Sequence, residues 1–282
     1  MQYTLAFALN QRWCDGRASY RPPTEPIKTA EYDVAEIPDD TTAREFIMQH
    51  HYAHSYPSAR FRVGLFRHGE LAGVAVFSHP CSNAVLTNVF EAPVLTTVEL
   101  GRFVLLDSVA GNGETWFLAR SFDILRKQHS IVGVVSFSDP LQRRTASGEV
   151  VHMGHFGTIY QAHNGIYLGR GTARSLHLLP DGRVFSDRAA QKIRNSERGW
   201  KYAAAQLEAF GATDVPTDAS ARTNGSTHLC NHWQRESGTR GITSMRGLST
   251  SRSGVNCRRA FLIRSRWTPF TRLCKKRTPH SR

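Results

Sequence analysis

Residues 95–140 constrain the fold of this chain more than any other stretch. Val98 to Leu106 is nearly continuous in apolar residues, the pattern of a strand covered on both faces. It leads into Gly111-Asn112-Gly113, then a helix from Glu114 to about Lys127 with Leu118, Phe122 and Leu125 at core spacing, then a strand ending at Ser138-Asp139-Pro140. Strand, glycine loop, helix and strand make a crossover unit. Glu99 and Arg102 lie inside the first strand, where a charge is costly unless it has a task, so both are candidate site residues. The glycines permit a tight turn with converging N–H groups, and a helix starting at Glu114 adds its positive dipole end. Gly111, Asn112 and Gly113 are therefore a candidate cofactor-binding loop for a diphosphate, or else a plain chain reversal. There is no G-x-G-x-x-G and no Walker lysine, which excludes the Rossmann and P-loop signatures and leaves a coenzyme A loop as the nucleotide reading.

Charge divides the chain at about residue 213. Residues 213–282 hold 14 Lys and Arg against 3 Asp and Glu, a net of +11, whereas the 212 residues before them hold 22 against 20, a net of +2. From Arg246 to Arg282 there is no acidic residue, and such a segment attracts nucleic acid phosphate without regard to sequence. It is rich in Ser, Thr, Arg and Gly and has no sustained period, so it reads as a disordered basic extension. Five cysteines with no C-x-x-C pair and no leader pattern fit a reduced cytoplasm. No window approaches the ~20 apolar residues of a membrane span, so no membrane partner is expected.

Elsewhere the pattern is regular. A first strand is expected near Tyr3 to Leu9, and Asp39 caps a helix that buries Phe46 and Ile47 and runs toward His51. Phe61–Phe66 and Leu71–Phe77 flank His68-Gly69-Glu70 as a β-hairpin. After Pro140 come a short helix within Gly157–Asn164, strands near Arg174–Leu179 and Val184–Phe185 joined by Pro180-Asp181-Gly182, and two helices, the last stopped at Gly211. The fold class is α/β (α+β), a mixed central sheet flanked by helices, in one domain over residues 1–212 with 213–282 as its tail.

Polar residues collect where these elements end. His50 and His54 share a helical face as a candidate metal pair, or they are exposed residues complementing the helix dipole. Pro140 stops the second strand and leaves Asp139 at the sheet's carboxyl edge, as an acid or metal ligand or as an ordinary turn residue. His155, Tyr160, His163 and Asn164 are denser than a packing helix requires, which makes Tyr160 a candidate proton donor. His228, Cys230 and His232 are a weak zinc candidate in the tail.

Glu99-Leu-Gly-Arg102, Asn112-Gly-Glu114 with Trp116-Phe117-Leu118, Ser138-Asp-Pro140, Gly157-Thr-Ile-Tyr160-Gln-Ala162 and Tyr167-Leu-Gly169 stand in an order and spacing that resembles the phage Mom-type adenine-modification proteins. The resemblance covers about residues 40–212 and includes His51-Tyr52. It implies a fold like that of the GCN5-related N-acetyltransferases and a transferase that adds a carbamoylmethyl group to adenine N6 in double-stranded phage DNA, protecting it from host restriction. It further implies His51, Glu99, Arg102, Asp139 and Tyr160 as catalytic candidates, a small-molecule donor such as acetyl-CoA, and an iron ion for which His51 and Asp139 would be ligands. The usual coenzyme A pattern opens with Gln or Arg where this chain has Ser108. The alternatives are an N-acetyltransferase using acetyl-CoA on a small-molecule or protein amine, and a non-catalytic basic DNA-binding protein.

Overall fold

The computed structural model describes residues 9–22, 24–170, 176–212, 243–245 and 259–263. Strand β1 (Asn10–Cys14) and β2 (Arg17–Arg21) form a hairpin turned at Asp15-Gly16. Then follow β3 (Tyr32–Glu36), α1 (Asp40–His50), β4 (Ala59–Arg67), β5 (Glu70–Ser78), the single turn α2 (Ala84–Thr87), β6 (Thr97–Leu105), α3 (Gly113–His129) and β7 (Gly133–Ser138). The second half holds β8 (Arg143–Arg144), β9 (Val150–His152), α4 (Thr158–Ala162), β10 (Ile166–Arg170), β11 (Leu176–Leu178), β12 (Val184–Phe185), α5 (Asp187–Asn195), α6 (Trp200–Glu208), β13 (Thr243–Met245) and β14 (Arg259–Ile263). The expected strand at Tyr3–Leu9 falls outside the described residues but for Leu9.

A seven-stranded mixed sheet in the order β10-β14-β7-β6-β5-β4-β3 carries the first compact unit. All neighbours are antiparallel except β6 and β7, which are parallel because α3 crosses between them. Leu65, Phe77, Val98 and Leu105 pack under Phe117, Leu118, Phe122 and Leu125 of α3, while Val74, Val76 and Val104 pack with Phe46 and Ile47 of α1 on the other face. Both faces of β5 are covered, which is why Leu71–Phe77 reads as an unbroken apolar run. The expected α/β class, a mixed sheet flanked by helices, is the observed one.

The described residues group into two compact units. Residues 259–263 run as a strand inside the sheet, pairing with β7 from Arg259↔Ser138 to Ile263↔Val134 and with β10 on their other side. Val134 and Val135 of β7 are buried, and a buried strand needs a backbone partner on both edges. Ala260-Phe261-Leu262-Ile263 is the one apolar run in an arginine-rich setting that can supply it. A second compact unit comprises Leu141–Gly154 and the described residues from 176 to 245. It has its own core of Leu179, Phe185, Ile193, Ala203, Ala204 and Leu207, drawn from α5, α6 and the β11–β12 hairpin, and β13 pairs with β11. His228, Cys230 and His232 lie outside the described residues.

Candidate active site

The parallel ladder between β6 and β7 runs from Thr97↔Gly133 to Leu100↔Ser136 and stops there. Beyond it a cleft opens, lined by Gly101 to Leu105 of β6 and Phe137 of β7, with Trp13, His51, Tyr52, Glu114, His155, Phe156 and Tyr160 among its other walls. Parallel strands that part at their carboxyl ends are where α/β sheets bind ligands.

A β-bulge decides which side chains of β6 act together. Ser78 pairs with Glu99, Phe77 with Leu100 and Val76 with Arg102, so Gly101 is the extra residue. Three positions apart in a regular strand, Glu99 and Arg102 would point to opposite faces. With the bulge they share the face that carries Val104 and α1. A Cβ at Gly101 would sit 2.5 Å from Ser78 Oγ, and Ser78 is buried, so the bulge is built around a glycine. Arg102 is held by Nε to the Ser55 carbonyl at 2.9 Å, by a second nitrogen to Ser55 Oγ at 2.7 Å and by a third to its neighbour's carbonyl, Gly101 O, at 2.6 Å.

The end of α1 supplies the opposite wall. Asp39 accepts from the Thr42 amide at 2.9 Å and starts the helix, and His51 ends it with extended backbone. His51 is buried, its Nδ1 accepts from the Ala53 amide at 3.0 Å, and its ring stacks on Tyr52 at 4.3 Å. Trp13 of β1 meets the same Tyr52 at 4.5 Å between ring centroids. The Tyr52 hydroxyl lies 3.3 Å from His155 Nε2, and the Asp139 amide donates to that nitrogen at 3.3 Å. The Asp139 N–H can only donate, so Nε2 accepts through its one lone pair. The His155 amide donates back to the Asp139 carbonyl at 2.8 Å, tying the end of β7 to the segment that leads into α4.

Tyr160 stands on α4, which starts at Gly157 in the left-handed region (φ 73°). Its phenol is buried and hydrogen-bonded to Ser136, whose own Oγ donates to the Leu100 carbonyl at 3.1 Å. Burial first, then the Tyr52 and Glu99 charges, raise its pKa; the Ser136 bond and the Arg102 charge oppose them, and the result is pushed up to about 12. Tyr160 is thus a neutral O–H at physiological pH, a donor and not a base.

The cleft therefore gathers Arg102, Tyr160 and His51 among the residues singled out from sequence, with the Glu99 charge reaching Tyr160 and buried Asp139 joined to the cleft through His155. Sequence reasoning missed Trp13 and the paired roles of Tyr52 and His155. The dense polar run after Gly154 was the only signal for His155. Among the described residues, the group of three neighbouring His, Cys, Asp or Glu ligand atoms includes neither His51 nor Asp139.

Gly111, Asn112 and Gly113 sit beside this cleft in an unexpected arrangement. The guanidinium of Arg12 on β1 bonds the carbonyls of Leu106 (3.0 Å), Val109 and Ala110 (2.6 Å) and pairs with Glu114 at the start of α3. Asn10 donates to the Gly111 carbonyl, the Gly111 amide donates to Glu25 Oε2 at 3.1 Å, and the Ile27 amide donates to Asn112 Oδ1 at 2.8 Å. The anion-attracting end of α3 is thus met by the chain's own carboxylates, Glu25 and Glu114. In this arrangement the loop does not fit a diphosphate, which would have to displace Glu25.

The family model of the Mom protein family matches residues 31–217, two thirds of the chain. The chain belongs to the Mom protein family. The matched Mom span includes every cleft residue from His51 to Tyr160 and excludes only the β1 wall. A search of curated proteins finds no similar sequence. Among solved structures, a ribosomal-protein-S5-alanine acetyltransferase from Vibrio fischeri is similar at a TM-score of 0.33 and 14% identity, covering 51% of this chain and 84% of that one. No helix among the described residues is long and apolar enough to cross a membrane.

Proposed function

We propose that this chain is a phage DNA-modification enzyme that transfers a carbamoylmethyl group to adenine N6 and so shields the DNA from restriction. Membership of the Mom family, over a span that contains every cleft residue outside β1, is the observation that carries the reading. A paired and stacked adenine is out of reach inside a duplex, so the base must be turned out into a pocket that stacks it and reads its edge. Trp13, Tyr52, Phe137 and Phe156 give the cleft aromatic walls suited to such a base.

The chemistry then follows from protonation states. N6 forms a bond to the donor methylene, and the bond from that methylene to its leaving group breaks. Tyr160, holding its proton up to a pKa of about 12, gives it to the leaving group. The proton that N6 loses restores the Tyr160 phenol, directly or through water, while His155, its Nε2 held by the Asp139 amide, positions the Tyr52 wall. Arg102 and Glu99, aligned on one face by the Gly101 bulge, orient the donor carbamoyl group through its oxygen and nitrogen.

Nucleoside mass analysis of DNA from cells making the chain tests this reading. Deoxyadenosine heavier by a carbamoylmethyl group is expected. Unaltered nucleosides together with turnover of acetyl-CoA on an amine would replace it with an N-acetyltransferase.

A further inference from the structure

We infer that Cys14, Asp15 and His50 form a binding site for one divalent transition-metal ion of the zinc class, outside the cleft. The Cys14 sulfur, an Asp15 carboxylate oxygen and a His50 ring nitrogen all lie within 4.8 Å of one another. Cys14 Sγ is 4.0 Å from Asp15 Oδ2, and His50 Nδ1 is 3.0 Å from Asp15 Oδ1. Ligand atoms on a common tetrahedral zinc ion stand roughly 3.3–3.6 Å apart, from metal bonds of about 2.0–2.3 Å. The observed spacings bracket that value, so small side-chain rotations close the site.

The ligands are held in place before any ion arrives. Asp15 (φ 49°) and Gly16 (φ 72°) form the left-handed turn of the β1–β2 hairpin. The Gly16 amide donates to the His50 carbonyl at 3.0 Å and locks that turn to the last residue of α1, while the Asp15 amide, 3.3 Å from His50 Nδ1, occupies the lone pair that an ion would take over. Phe46 packs on the His50 ring at 4.7 Å. A second imidazole rests on the same turn: a Cβ at Gly16 would stand 2.5 Å from His54 Nε2. His54 Nδ1 is 2.9 Å from the Met48 carbonyl and can only donate to it, so Nε2 carries the lone pair and faces the turn. A thiolate, a carboxylate and neutral imidazole make a neutral complex with a divalent ion, and soft sulfur with imidazole selects zinc-like metals over magnesium or calcium. Asp15 is exposed, which provides the entry path. The site joins Cys14, next to the cleft residue Trp13, to His50, next to the cleft residue His51, and so staples two walls that meet at Tyr52.

Cobalt(II) titration of the chelator-treated full chain tests this, with the near-ultraviolet thiolate-to-cobalt charge-transfer band as the readout. One equivalent of Co²⁺ should develop the band at micromolar concentration. Cys14→Ser should abolish the band and His50→Gln weaken cobalt binding at least tenfold, with both variants keeping the unaltered circular dichroism. Cys230→Ser should bind as the parent does. A band that persists in Cys14→Ser, disappears in Cys230→Ser, or saturates only at millimolar cobalt, as an adventitious ion only would, overturns the assignment. None of these outcomes depends on DNA modification, so the two readings fail separately.

Discussion

At the residue scale, the group proposed to act is a tyrosine that keeps its proton. Burial lifts the Tyr160 pKa from 10.0 to about 12, so the folded chain binds the phenolic proton more tightly than the unfolded chain does. The resulting stability is fully present below pH 10 and is lost as the pH climbs toward 12. Thermal melts across that range should fall more steeply for the parent than for Tyr160→Phe; parallel curves would place the phenol in contact with water. Arg12 is the other residue whose task is physical. It is buried against buried Glu114, and Arg12→Ala leaves a carboxylate without its partner and takes one donor away from each of three carbonyls, two of which keep a backbone amide. That variant should lose about 3–5 kcal/mol of stability by denaturant melting, and Arg12→Ala with Glu114→Ala should lose less than the sum of the two single changes. Strict additivity would show that the pair does not interact.

At the element scale, the elements that build the cleft were legible in the sequence but their alignment was not. The crossover of β6, α3 and β7 was legible because its apolar runs and glycine loop are local signals, and Asp139 and Tyr160 were found because Pro140 and Gly157 mark where their elements end and start. The bulge at Gly101 was not legible: Glu99 and Arg102 at an odd spacing seem unrelated until the register with β5 is known. Gly101→Ala places a methyl group against buried Ser78 Oγ and should cost about 1–3 kcal/mol. Adding Ser78→Ala should recover most of that loss, and failure to recover would mean that the backbone, not Ser78, resists the change. The partners of the glycine loop were not legible for a similar reason. Its partners, Arg12 and Glu25, lie 102 and 86 positions away from Glu114 and Gly111, and no local pattern announces that a carboxylate already answers the loop.

At the scale of the whole molecule, composition hid a strand. The charge of residues 213–282 gave them the look of a dispensable extension, yet 259–263 pairs along the length of β7. A chain ended after residue 212 should therefore expose the β7 and β10 edges, melt at a lower temperature and aggregate, as followed by light scattering during heating. Equal melting of the two chains would show that β14 adds nothing to the sheet. Two compact units also mean that the cleft belongs to the first alone, since all of its walls come from residues 10–137 and 155–160.

The central claim is that this cleft carries out the transfer with Tyr160 as its acid, and the modified fraction of deoxyadenosine in cells making Tyr160→Phe tests it most directly. Removal of a general acid costs about 10²–10⁴ in rate. The variant should fold as the parent does and lose the modified nucleoside at least about 100-fold. An undiminished modified fraction, with the variant present at the parent's level, would contradict the account.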